Sequence, residues 1–298
     1  MIHFSASKSE FHFMKSIYFI ATMLIALMCR SPFAAQPWPE AADELYNKVM
    51  GLYQQGKFAE ALPLAQEVVA VDEKALGPNH TDFATELNLL GLIYHQLGRY
   101  PEAESSYQRS LAIREKQLWP DHPDVASSVS NLGLLYMAEG RYADAEPLLK
   151  RALAIRVKAF KPDHPNIGLS LRNIGDVYRK QGRCADAEPL YKLSVQIFKK
   201  AFGPDHPDVA LALDDLALCY FTQHNYDETE TLLKESLAIR EKIGGPDDPD
   251  VGLALCNLAA LYKSQGRYSD AEPLSRRAAA IREKLLQRDH STTQVPQF

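Results

Sequence analysis

The 298-residue chain lacks the excess of positive charge that nucleic-acid binding demands: 33 Lys and Arg face 38 Asp and Glu, for a formal net charge of −5. Without a basic surface little can displace phosphate counterions, so neither nucleic acid nor an anionic membrane surface is an expected partner. Cysteine is scarce, at four residues, and no two have CxxC spacing. A disulfide framework is therefore not expected, and Cys184, Cys219 and Cys256 read as small apolar side chains. The apolar run SIYFIATMLIALMC at 16–29 has 14 residues, short of the roughly 20 that span a bilayer. Also missing are HExxH, GxSxG, GxxxxGK[ST], GxGxxG and calcium-loop patterns. No enzyme class, cofactor, metal or small-molecule substrate is expected on that account.

The short apolar run does have a setting. Lys8 and Lys15 precede it, and Arg30 and SPFAAQPW follow. A positive segment, a short apolar core and small residues after it predict a secretory signal over residues 1–35. Met14 is a natural start for it, and cleavage falls after Ala34 or Ala35. The expected location is exported, periplasmic or secreted, with the membrane touched only through an uncleaved signal. Removing 1–35 takes away Lys8, Lys15, Arg30 and Glu10, so the remainder is more acidic.

What the chain has in abundance is one phrase, repeated. Gly56, Gly98, Gly140, Gly182 and Gly266 fall on a period of 42, with His224 in the remaining slot. Ala61, Ala103, Ala145, Ala187 and Ala271 follow the same period, with Thr229 completing the set. The units lie at approximately 41–82, 83–124, 125–166, 167–208, 209–250 and 251–292, leaving a tail at 293–298 expected to be disordered.

Each unit predicts two helices. In the third, Val125, Val129, Leu132, Gly133 and Tyr136 form an apolar stripe at helical period. Asp124 is placed to cap that helix, and Gly140 to end it. A second helix is expected from Tyr142 to about Phe160, stopped by Pro162 and Pro165. WPDHPDV, KPDHPNI and GPDHPDV at 119–125, 161–167 and 203–209 fill the turns between units. His80, His122, His164, His206 and His290 therefore recur once per repeat. Helices one repeat apart stand on the order of 10 Å apart, too far for several histidines to share one ion at about 2 Å. Asp248 fills the slot in the fifth unit. The histidine is punctuation, with Asp124, Asn166, Asp208 and Asp250 as the expected caps.

Gly91, Gly133, Gly175, Ala217 and Ala259, each followed by a tyrosine (Tyr94, Tyr136, Tyr178, Tyr220, Tyr262), resemble the signature of tetratricopeptide repeats. The 42-residue unit with AEPL, LAIREK and GPDHPDV resembles the kinesin light chain and nephrocystin-3-like class of that family, over about 250 residues. The resemblance implies an all-α fold: an α-solenoid of six tandem helix-turn-helix repeats in a right-handed superhelix. It also implies a concave groove, lined by the first helices, that holds a peptide or partner helix. The expected export signal and the absence of a preceding heptad segment set the chain apart from a motor subunit.

In that class, asparagines of the first helix grip the backbone of the bound peptide. The matching positions here are Asn47, Asn131, Asn173 and Asn257, with Asp215 in the fifth unit and Asn88 one residue early in the second. An amide offers two donors and an acceptor, which suits an extended main chain. The competing reading is that these side chains bond neighbouring helices. Arg172, Asp214, Asp176, Arg179, Lys180 and Lys263 nearby give a surface of mixed sign, and Met137, Leu218 and Phe221 offer apolar contacts. The expected function is a non-enzymatic scaffold with a protein or peptide partner. End-to-end self-assembly is the alternative, and the polar last helix, with Ser275, Arg276 and Arg277, counts against it.

Overall fold

A computed structural model describes residues 40–292, with side chains over 43–287. The expected signal peptide and the tail at 293–298 lie outside the described residues. Among the described residues there are twelve helices and no strand. The first unit of compact structure runs to Lys161 and the second starts at Pro162. The first holds α1 (Glu40–Gln54), α2 (Phe58–Leu76), α3 (Thr81–Gln96), α4 (Tyr100–Gln117), α5 (Pro123–Ala138) and α6 (Tyr142–Ala159). The second holds α7 (Pro165–Lys180), α8 (Cys184–Phe202), α9 (Pro207–Thr222), α10 (Tyr226–Gly244), α11 (Pro249–Ser264) and α12 (Tyr268–Thr292). Within each unit every helix packs on the next, which makes three hairpins per unit and the tandem hairpins of an α-solenoid class.

The turns work through the histidine rather than the acid after it. Nδ1 of His122 accepts from the backbone N–H of Asp124 at 3.0 Å, and His80, His164 and His206 do the same for residues 82, 166 and 208. His122 is thus the N-cap of α5, Pro123 is its first helical residue and Asp124 lies inside the first turn. This corrects the expected caps at Asp124, Asn166, Asp208 and Asp250. The sequence pattern located the turn, but a proline at the first helical position costs no hydrogen bond, so the helix begins two residues earlier than its apolar stripe. Asp248 accepts from the N–H of Asp250 at 2.8 Å. A carboxylate can replace the imidazole because the slot needs only an acceptor.

The first acid of the phrase has its own partner, a lysine one hairpin on. Lys158 pairs with Asp121 at 3.0 Å in the first unit. Lys200 with Asp163, Lys242 with Asp205 and Lys284 with Asp247 repeat that pairing in the second. The first acid, the histidine and the second proline of PDHPD therefore each join a turn to the helices around it.

In the four middle hairpins a small residue of the first helix lies under a larger one of the second. A Cβ on Gly91 would lie 2.6 Å from the ring of Tyr107, and one on Gly175 would lie 2.7 Å from the ring of Tyr191. Both rings are wholly buried. Where the first helix carries Ala217 instead, the facing residue is the smaller Leu233, and both are buried in one cluster. Gly133 sits against Leu149 in the same way. Leu135 and Leu149 are at most 1% exposed, and burying such a side chain contributes about 1.5–3 kcal/mol.

At the end of α5, Gly140 turns the chain at φ +77°. His224 occupies the corresponding place after α9 at φ +63°, a left-handed conformation that side chains resist.

Candidate functional site

The first helix of each hairpin carries the polar register identified in the sequence, and the two units use it differently. In the first, Asn131 on α5 donates from Nδ2 to Oδ1 of Asn88 on α3 at 2.9 Å. Asn88 is buried, and its neighbour Leu89 belongs to the core. The apparent slip in the second repeat is therefore a partnership: the residue before the register on one hairpin meets the register residue of the next. Asn47 stands exposed on α1.

In the second unit the same relationship is ionic. Arg172 on α7 donates from Nε to Oδ2 of Asp215 on α9 at 2.9 Å, and both side chains are less than a tenth exposed. Asp176 and Arg179, a turn further along α7, pair at 3.0 Å. The Tyr191 hydroxyl donates to Asp176 at 2.8 Å. Burial, and next the charges of Asp176 and Asp215, hold that phenol protonated far above its ordinary range. Burial, with help from Asp176, pushes the Asp215 carboxyl up to about 7 against the pull of Arg172 and Arg179. Burial and the Arg179 charge lower the Lys180 ammonium.

Asn173 is buried, and among the described residues its Nδ2 has no hydrogen-bond partner. Asn257, at the same register on α11, is half-buried. Leu218 is 40% exposed, while Met137 and Phe221 are half-buried. So the sequence-derived set divides three ways. Asn88 with Asn131 and Arg172 with Asp215 are bonded in pairs, Asn173 is enclosed, Asn257 is half-buried and Asn47 is exposed.

The buried arginines of the second helices were not assigned a role from sequence. Arg114 on α4 reaches the carbonyl of Asp124 at 3.1 Å, Ser128 at 2.9 Å and Thr85 at 3.0 Å. One side chain thereby ties α3, α4 and α5. Arg240 on α10 reaches Asp214 of α9 at 2.6 Å. Burial alone would make such guanidinium groups costly, and desolvation does lower the pKa of Arg114; the oxygens around it offset that cost. A signal was present, since an arginine returning in LAIRE beside an apolar isoleucine implies a charge held at a core register.

Hairpins repeated at 42 residues, with a small residue on the first helix under a large one on the second, define a helical repeat scaffold. The family model for the tetratricopeptide repeat matches residues 41–116, 124–200, 170–228 and 209–284, and the chain belongs to that family. Among solved structures it is similar to a Podosopora anserina protein described as a kinesin light chain with nearly identical TPR-like repeats. The identity there is 26%, with 70% of this chain and 98% of that one covered at a TM-score of 0.58. BtubC (BKLC) from P. vanneervenii shares the fold at 21% identity, TM-score 0.63, over 85% of this chain and 94% of its own. So does the apo form of RapI, at 14% identity and TM-score 0.61, over 83% and 99%. A comparison with curated protein sequences finds no match. Proteins of this repeat family are typically non-enzymatic scaffolds for protein–protein interaction.

Proposed function

We propose that this chain is an exported, non-enzymatic scaffold that holds an extended segment of a partner protein along the first-helix faces of its hairpins. The observation that carries this reading is the Asn131–Asn88 bond. It uses one donor of Asn131 and leaves that half-buried residue its second N–H and its carbonyl oxygen to offer, while the buried Asn88 orients it. An extended main chain presents donors and acceptors in alternation and can meet both. Asn47 and Asn257 add amides at the same register, and Leu218 adds an exposed apolar surface beside Asp214 and Asp215. The charges of that register pair among themselves, Arg172 with Asp215, Asp176 with Arg179 and Asp214 with Arg240, which fits a peptide of no strong net charge. End-to-end stacking gains nothing from α12, where Arg276 and Glu272 are exposed.

The experiment is site-specific photocrosslinking in cells, with a photoreactive residue at Asn47 or Asn257 and, as comparison, at Val157, which lies exposed on a second helix. A discrete adduct from the two first-helix sites is expected. The Asn47 adduct should be lost in Asn88→Ser/Asn131→Ser, which lie in the same unit, while helicity is unchanged. Adducts formed only from Val157 would move the binding surface off the first helices. N-terminal sequencing of the mature protein from the exported fraction should begin at Ala35 or Gln36; a start at Met1 or Met14 would overturn cleavage.

A further inference from the structure

Cysteine replaces the usual residue at two places in the repeat, and those two places meet. The register of Cys184 holds Phe58, Tyr100, Tyr142, Tyr226 and Tyr268 in the other hairpins. That of Cys219 holds Ile93, Leu135, Val177 and Leu261. At one contact alone, both the aromatic that opens a second helix and the aliphatic on the following first helix have become thiols. Cys184 opens α8 and Cys219 lies in the last turn of α9, so the contact lies within the second unit.

The packing there is close. Sγ of Cys184 is 3.1 Å from Oγ1 of Thr222, and that hydroxyl donates to the carbonyl of Cys219 at 2.8 Å. Cys219 is wholly buried and Cys184 is 9% exposed. Burial, and then the Cys184 thiol beside it, push the Cys219 thiol far above its ordinary range, so the Cys219 sulfur does not sit in a site built to stabilise a thiolate for metal or nucleophilic work. Both thiols are reduced in the structure, and Cys256, exposed on α11, is the third.

We infer that Cys184 and Cys219 are a disulfide-forming pair that staples the fourth hairpin to the fifth, with Cys256 left outside the pair. The oxidant is a second disulfide, carried by a small molecule or a thiol-exchange protein. The Cys184 thiolate attacks it and expels one thiolate, leaving a mixed disulfide. Cys219, having lost its proton, attacks the Cys184 sulfur and expels the other half. One S–S bond forms and one breaks; two electrons and two protons pass to the oxidant, which leaves as two thiols. Because Cys219 is wholly buried and Cys184 nearly so in the folded chain, an oxidant reaches them as the hairpins dock, before that contact closes. The pairing holds whether or not the binding surface proposed above is correct.

The test is refolding of the full chain in oxidised glutathione, alkylation of the remaining thiols, tryptic digestion and mass spectrometry. Cleavage after Arg183, Lys192, Lys200 and Lys234 places each cysteine on its own peptide. The expected product is peptide 184–192 linked to 201–234, with Cys256 alkylated. Adding a reductant should lower the thermal midpoint of the wild type and of Cys256→Ser, and leave that of Cys184→Ser unmoved. Alkylation of both Cys184 and Cys219 after oxidative refolding, or linkage of either to Cys29 or Cys256, would overturn the pairing.

Discussion

Arg172 and Asp215 stand 43 residues apart in the chain and 2.9 Å apart in space, each almost fully buried. Asn88 and Asn131 are separated by the same 43 residues and joined by a bond of the same length. One amide pair and one ion pair thus occupy equivalent contacts between first helices two along in the chain. The register inferred from sequence is also a device that holds successive hairpins together.

Removing one partner of the ion pair is expected to be costly, because the survivor stays buried and charged. Asp215→Ala, measured at about pH 8 where the carboxyl is ionised, should lose about 3–5 kcal/mol of stability. Arg172→Asn/Asp215→Asn, which copies the Asn88–Asn131 pair, should recover most of that. Urea unfolding followed by far-ultraviolet circular dichroism checks both. A loss below about 1 kcal/mol in the single variant, the value of a solvated surface pair, would contradict the burial.

The pH dependence has a defined sign. The Asp215 carboxyl is pushed up to about 7 in the folded chain from an ordinary value of 3.8. The folded state therefore binds the proton more tightly. Its contribution is fully present below pH 3.8 and is lost as pH rises through about 7. Stability of the wild type should fall across that window, and Asp215→Asn should flatten the slope. An unchanged slope in the variant would assign the titration elsewhere.

The histidine caps predict a specific pattern of substitution. His122→Ala should cost about 1 kcal/mol, because the N–H of Asp124 loses its acceptor. His122→Asp should cost far less, since Asp248 already performs the same task in another turn. Thermal melting of the three proteins orders them; equal losses for Ala and Asp would mean that the imidazole acts by packing.

Small and large residues facing each other should be coupled. Gly91→Ala drives a methyl into the Tyr107 ring and is expected to cost about 1–3 kcal/mol by overpacking. Gly91→Ala/Tyr107→Leu reproduces the Ala217–Leu233 combination and should be more stable than the sum of its single changes implies. Additive losses in this double-mutant cycle would show that the ring moves freely aside.

The repeat number, the helix pairs and the position of every turn were legible in the sequence. Each depends on local causes: apolar residues at helical spacing, prolines that bar helix continuation, and a residue able to turn at positive φ. The choice of cap was one step less local, because Asp124 and His122 both carry acceptors near the first turn and only the backbone path selects between them. What each residue of the polar register bonds to was beyond the sequence. Asn131 looks the same there as Asn47, but one is bonded to Asn88 and the other is exposed. The offset with which one hairpin packs on the next decides that, by bringing a residue beside the one 43 positions on. The meeting of Cys184 with Cys219 has the same origin, since nothing in a separation of 35 residues marks it until the helices are packed.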